Sequence, residues 1–235
     1  MAIKNDPRNL LTSLILVFPL FCIYQLGVVV TYPMINGADF LTRFLLQHVV
    51  HSRSAYLAFV AVVALLFGIA VLVLRRTQKL RLSMFVPMLL ESAIYALTMG
   101  SVIVFVMTRV FGMNPRLGPA LADQGFLSKV VMSIGAGAWE ETVFRLGLLT
   151  GIAALAEKVI GMRHALALVL ALVVSSLLFS AVHHIPPYGD PLSLGVFTFR
   201  VLAGVFFGLL FWFRGFAVAA YTHALYDIYV LILKP

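Results

Sequence analysis

Glu140, Glu141 and Arg145 interrupt a stretch, Phe126 to Leu155, that is otherwise apolar enough to cross a membrane. A charged side chain near the bilayer centre costs roughly 2.5–3.5 kcal/mol on insertion scales, so three charges this close together must pair, face a wet cavity or do chemistry. Glu141 and Arg145 stand at i and i+4, where a carboxylate and a guanidinium meet on one helical face. That pair is expected to neutralise and orient the helix. Successive helical residues are about 100° apart, so Glu140 points elsewhere and needs a partner on another segment.

Two later apolar segments offer partners. One ends in Phe179-Ser180-Ala181-Val182-His183, with His184 beside it; the other holds His223 and Asp227, again at i and i+4. Asp227 is expected to accept the imidazole N–H of His223 and fix its tautomer. A glutamate and two histidines facing one cavity can activate water. Glu140 would be the general base, one histidine would place the water, and the remaining donors would meet the oxyanion of a tetrahedral intermediate. Taken singly, an intramembrane histidine is more often a helix-to-helix hydrogen-bond partner than a catalyst; the three segments together favour chemistry. His184 reads as a helix-end neighbour. Glu91 and Arg200 are further charges in apolar segments, either paired with each other or lining the cavity.

These groups have to be positioned by helices. At 235 residues, 62% hydrophobic and 11% charged, with a mean hydropathy of +1.05, the chain carries more apolar surface than a water-soluble fold can bury. The expected fold class is all-α, a polytopic transmembrane bundle of seven or eight helices with a polar cavity inside. Residues 1–235 read as a single integral-membrane domain, with the reactive motifs within 126–233. Apolar runs lie at Leu10–Tyr32, Ala55–Leu74, Met84–Met107, Phe126–Leu155, Ala165–His183, Leu192–Phe213 and Phe216–Leu233. Each is long enough to span a hydrocarbon core of roughly 30 Å. Ala38–Val50 is also apolar but is broken by Asp39, Arg43, Gln47 and His48; it reads as an interfacial or re-entrant helix, or an eighth span. Leu10–Tyr32 is expected to be a retained span, since no small-x-small cleavage site follows it. Turn residues mark the connections, among them Pro33 to Gly37, Ile185 to Pro191 and Arg214-Gly215. The run Gly135-Ala136-Gly137-Ala138 permits close helix approach just before the glutamates.

A lone cysteine, Cys22, excludes an intramolecular disulfide and reads as packing. The net charge of +8 is explained by cations at the ends of apolar runs, so no nucleic-acid partner is implied. Arg75, Arg76, Lys79 and Arg81 make their loop cytoplasmic, and alternation then puts Ile185 to Asp190 outside. No cofactor is expected. A zinc site built from Glu140, His183 and His223 is a rival reading, but no His-Glu-x-x-His occurs. No Gly-x-Ser-x-Gly suggests a serine nucleophile either. The alternatives from other classes are a proton-coupled transporter, although no inverted repeat is visible, and a non-catalytic immunity or binding protein.

Glu-Glu-x-x-x-Arg, Phe-x-x-x-His and His-x-x-x-Asp, in that order and each in its own hydrophobic segment, resemble the CPBP intramembrane protease family. That family includes the type II CAAX prenyl endopeptidases and the bacterial bacteriocin-processing or Abi proteins. The matching positions are Glu140, Glu141 and Arg145, then Phe179 and His183, then His223 and Asp227; the first three runs match only in hydrophobicity. The resemblance implies a glutamate-dependent, metal-independent protease. In it Glu140 and His183 would activate the water, His223 and position 227 would form the oxyanion site, and Glu141, Arg145 and Phe179 would support them. CAAX-type members usually carry asparagine where this chain has Asp227. An ionised carboxylate cannot donate to an oxyanion, so Asp227 is expected to orient His223 or to be protonated; aspartate is tolerated among bacterial relatives. The implied partners are the bilayer and a membrane-associated protein or peptide substrate, and the implied location is the bacterial inner membrane. An outward-opening site argues against a prenylated cytoplasmic substrate and is similar to myxosortase-like members, which process C-terminal sorting tails. Reporter fusions test the topology on which this rests: a fusion within the Arg75 to Arg81 loop is expected to report the cytoplasm, and one within Ile185 to Asp190 the opposite side.

Overall fold

The structure is a computed structural model describing residues 8–31, 35–36, 38–39, 53–113, 124–185 and 191–233. Among these residues there are helices and no strand. In chain order they are α1 (Leu10–Thr31), α2 (Arg53–Leu74), α3 (Phe85–Arg109, entered through a short turn at Leu82–Met84), α4 (126–158), α5 (His164–Val182), α6 (Leu194–Arg214) and α7 (216–233). Six are unbroken helices long and apolar enough to cross a membrane; α4 is divided into shorter α- and π-helical stretches. The expected span Phe126–Leu155 is therefore a different kind of element. It runs α-helical over Phe126–Gly135, π-helical over Ala136–Glu140 and Thr142–Leu149, then α-helical again over Thr150–Lys158. The wide turns are written in its hydrogen bonds, with the Thr150 N–H reaching the carbonyl of Arg145 five residues back. π-turns inside α-helices are frequent at functional positions.

Large apolar side chains face outward, as a bilayer solvent requires. Leu57, Leu65 and Leu72 of α2 and Val86, Leu90 and Ile94 of α3 are all more than half exposed. α2 lies against α1 at the edge of the bundle, with Tyr56 buried against α1 and no buried residue over 57–74. α7 is the centre. It packs on α1, α3, α4 and α6, and Phe216 to Ala220 are almost wholly buried. Small residues permit this closeness. A Cβ on Gly137 of α4 would come within 2.4 Å of the Ala220 carbonyl oxygen and 2.8 Å of the Ala224 Cβ. The Gly135-to-Ala138 run thus does bring another helix next to the glutamates, and that helix is α7.

Long-range contacts fix which ends lie together. Asn9 Nδ2 donates to the Lys79 carbonyl at 3.1 Å, the Leu11 N–H to Gln78 Oε1 at 3.0 Å and the Arg81 N–H to Thr12 Oγ1 at 3.1 Å. The start of α1 therefore sits beside the α2–α3 loop. At the same end, Arg214 makes a two-pronged pair with Glu91, at 2.5 and 2.6 Å, and Tyr95 donates to that carboxylate at 2.8 Å. Glu91 consequently partners Arg214 and not Arg200. Its true partner closes α6 onto α3 at the end where Arg75, Arg76, Lys79, Arg81, Lys158 and Arg163 also gather. Gly215, with φ of 89°, is the single residue between α6 and α7 and sends its N–H to the Leu210 and Phe211 carbonyls. A positive φ of that size is adopted freely only by glycine.

At the opposite end the described residues that follow α1 lie inside the bundle. Asn36, Ala38 and Asp39 are buried, and the Asn36 N–H donates to the hydroxyl of Tyr24 at 2.9 Å. Tyr24 stands seven residues before the end of α1, about 10 Å deep at the helical rise of ~1.5 Å per residue. The segment thus re-enters the bundle. Irregular backbone at membrane depth is tolerated only where protein satisfies its polar groups. Here the Ala38 N–H is met by Asn36 Oδ1 at 2.9 Å and the Asp39 N–H by the Asn36 carbonyl at 3.1 Å. The remainder of the expected helix or span over Ala38–Val50 lies outside the described residues. Gly137→Ala is expected to destabilise the protein by ~1–3 kcal/mol, because the added methyl meets backbone and cannot be accommodated by rotating a side chain; thermal unfolding in detergent against wild type measures it.

Candidate active site

Glu141 is wholly buried and holds two helices together. One oxygen, Oε1, lies 3.1 Å from Arg145 Nη1 on its own helix and 2.7 Å from His223 Nδ1 on α7. The expected i,i+4 pair is present, and the residue also does something that spacing along one helix could not reveal. It takes Nδ1 of an imidazole for which the spacing offered only Asp227. Asp227 instead faces the other nitrogen, its Oδ2 3.8 Å from His223 Nε2. The reason is geometric: α4 meets α7 closely at Gly137, and that contact carries Glu141 across to His223, whereas an i,i+4 side chain on α7 reaches only the flank of the ring.

Arg145 is buried among aromatic rings. Its guanidinium carbon is 4.4 Å from the Phe179 centroid, 5.3 Å from Phe207 and 6.0 Å from Phe144, and Nη2 donates to the Gly204 carbonyl at 3.3 Å. Ring faces attract a cation, more so where water is excluded. Phe179 thereby has a definite task. It packs edge-on to Phe144 at 5.3 Å, edge-on to the His223 ring at 5.9 Å and against His183 at 4.8 Å, while lying under Arg145. Phe207 of α6 stacks on the His223 ring at 4.2 Å with 19° between planes. Both imidazoles are thus held by aromatic faces.

His183 caps the C-terminus of α5, where its Nδ1 donates to the Phe179 carbonyl at 2.6 Å. A carbonyl can only accept, so Nδ1 bears the hydrogen and Nε2 is turned inward. That nitrogen lies 3.3 Å from Glu140 Oε2, and His223 Nε2 lies 3.9 Å from the same oxygen. One carboxylate oxygen therefore faces two imidazole nitrogens, each ring fixed at its far side, one by a backbone carbonyl and one by Glu141. The side chains of His183 and Asp227 are 19% and 27% exposed against 7% for Glu140, so the group opens past those two residues.

All seven residues singled out in the sequence, Glu140, Glu141, Arg145, Phe179, His183, His223 and Asp227, meet in this one place. His184 stacks on Phe197 of α6 at 5.9 Å, away from the reacting groups. Two neighbours were not foreseen. Phe207 is one of 19 phenylalanines in the chain and lies in no motif that marks it. Asn36 donates from Nδ2 to Glu140 Oε1 at 2.8 Å from a segment that looks like a turn after the first span. The available signal was the presence of Asn36 and Asp39 in a segment otherwise poor in polar groups. Among the described residues, no set of three or more His, Cys, Asp or Glu side chains is arranged to hold a metal ion.

Replacing Arg145 with methionine leaves the buried Glu141 carboxylate with His223 alone and is expected to cost ~3–5 kcal/mol, the usual penalty for breaking one side of a buried pair. Arg145→Lys keeps the charge but loses the planar stacking and the Gly204 contact, so its unfolding midpoint in detergent should fall between methionine and wild type.

Residues 123–229 match the family model described as type II CAAX prenyl endopeptidase Rce1-like, and that range contains all seven of those residues. Neither the curated proteins nor the solved structures contain a match to the chain.

Proposed function

We propose that this integral membrane protein, whose residues 123–229 match the family model described as type II CAAX prenyl endopeptidase Rce1-like, is a glutamate-type intramembrane endopeptidase hydrolysing a peptide bond with a water activated at Glu140. The observation that carries the reading is the single carboxylate oxygen, Glu140 Oε2, lying 3.3 Å from His183 Nε2 and 3.9 Å from His223 Nε2. Water placed against Oε2 and His183 gives up a proton to the carboxylate as its oxygen attacks the scissile carbonyl carbon. The carbonyl π-electrons move to oxygen, and that oxyanion is met by the Nε2–H of His223. His223 is suited to donate because a carboxylate flanks each side of its ring: Glu141 at Nδ1, and Asp227 with Glu140 near Nε2. The proton held by Glu140 then passes to the leaving amide nitrogen as the C–N bond breaks, releasing an amine and a carboxylic acid. Asp227, 3.8 Å from Nε2, supports His223 through its charge without taking the role of an asparagine donor.

The location of the group bears on the substrate. His183 lies at the end of α5 opposite the cation-rich end of the bundle, which the positive-inside rule assigns to the cytoplasm. We therefore favour a membrane-associated protein whose scissile bond, near a C-terminal tail, approaches from the outer face of a bacterial inner membrane.

Cleavage in native membranes by wild type, Glu140→Gln and His183→Ala at matched expression tests the activity. Removing the base is expected to lower the rate by ~10²–10⁴-fold, the range for general acid–base groups. Wild-type cleavage by Glu140→Gln would sink the proposal, and ion flux without proteolysis would favour a transporter.

A further inference from the structure

Asn36 contacts the oxygen of Glu140 that the reaction above does not use. The carboxylate is divided: Oε1 accepts from Asn36 Nδ2 at 2.8 Å, while Oε2 faces the two imidazoles. Asn36 is itself held on three sides. Its N–H donates to Tyr24 at 2.9 Å, its carbonyl accepts from the Asp39 N–H at 3.1 Å and its Oδ1 accepts from the Ala38 N–H at 2.9 Å. The contact to Ala38 fixes the amide orientation. A backbone N–H needs an acceptor, so Oδ1 faces it and Nδ2 must face Glu140. Tyr24 is wholly buried, and its ring edge lies where a Cβ on Gly135 would come, within 2.4 Å. The anchor of Asn36 is thereby keyed to the helix that carries Glu140.

We propose that Asn36 is a positioning residue for the reaction: it pins Oε1 so that Oε2, and not the other oxygen, is presented to the water. This deepens the proteolytic reading and rests on it. It also gives the re-entrant segment after α1, which lies outside the family-matched residues 123–229, a part in the chemistry. A carboxylate without this donor can turn about its terminal torsion, which is broad and roughly two-fold. Its oxygens then leave the geometry that the histidines define, and a misplacement of about 1 Å can cost ~10²-fold in rate.

Asn36→Asp separates positioning from mere support. It keeps the oxygen that accepts from Ala38, so the segment stays tied, but it removes the donor to Glu140. Asn36→Ala removes both. The probe is a fluorogenic membrane-anchored peptide whose scissile bond precedes a C-terminal tail, presented to the purified full chain in liposomes. Both variants are expected to lose ~10²-fold in kcat with KM within about twofold of wild type. If Asn36→Asp keeps wild-type kcat while Asn36→Ala loses it, Asn36 only supports its own segment and the proposal fails. A second arm needs no turnover. The carboxylate stretch of Glu140, identified in infrared difference spectra by its loss in Glu140→Gln, should shift in Asn36→Ala; an unmoved band overturns the assignment even if the peptide is not cleaved. If Glu140→Gln cleaves like wild type, the proteolytic reading falls, and this proposal falls with it. An inactive Glu140→Gln beside a fully active Asn36→Asp removes the role of Asn36 alone.

Discussion

One carboxylate oxygen, Oε1 of Glu141, receives both Arg145 and His223, and the rest of the arrangement depends on that sharing. A charge in an apolar interior is tolerated only when paired and hydrogen-bonded. Glu141 supplies the ion pair for the guanidinium and the hydrogen bond for one side of an imidazole at once. Because Glu141 absorbs Arg145, the neighbouring Glu140 escapes direct pairing with a cation of its own helix. The tie also fixes the far side of the His223 ring, so that its other nitrogen is turned toward Glu140.

Around this centre the aromatic residues form a wall with specific faces. Phe179 lies under Arg145 and edge-on to His223; Phe207 stacks on His223. Such rings pack without bringing competing hydrogen-bond donors, so the polar atoms meet only one another. The reacting groups are therefore aimed by apolar surfaces as much as by hydrogen bonds.

Much of this could be read in the chain because charge is so costly in a membrane. Glu140, Glu141, Arg145, His183, His223 and Asp227 stood out from apolar surroundings, and the long apolar helices were legible from hydropathy alone. What could not be read was anything that depends on which helices touch. The i,i+4 rule offered Asp227 as the partner of His223 because it sees only one helix, while the actual partner of Nδ1 lies 82 residues away in sequence. Glu91 and Arg214 are 123 apart, and Asn36 and Glu140 are 104 apart, the former in a segment that looks like an ordinary turn. The π-turns of α4 were hidden for another reason: Glu141 and Arg145 sit four residues apart and meet in either kind of helix.

The turn at Gly215 carries a consequence of its own. A single non-helical residue joins α6 to α7, and Phe207 and His223 lie equally far from it along their two helices, about 12 Å at ~1.5 Å per residue. Two arms of matched length leaving one pivot bring the stacked rings to the same depth without any distant loop having to set the register. Lengthening that pivot by one residue would slide the imidazole off its ring even with every reactive side chain retained, so this junction has far less room to drift over evolution than an exposed connection normally enjoys.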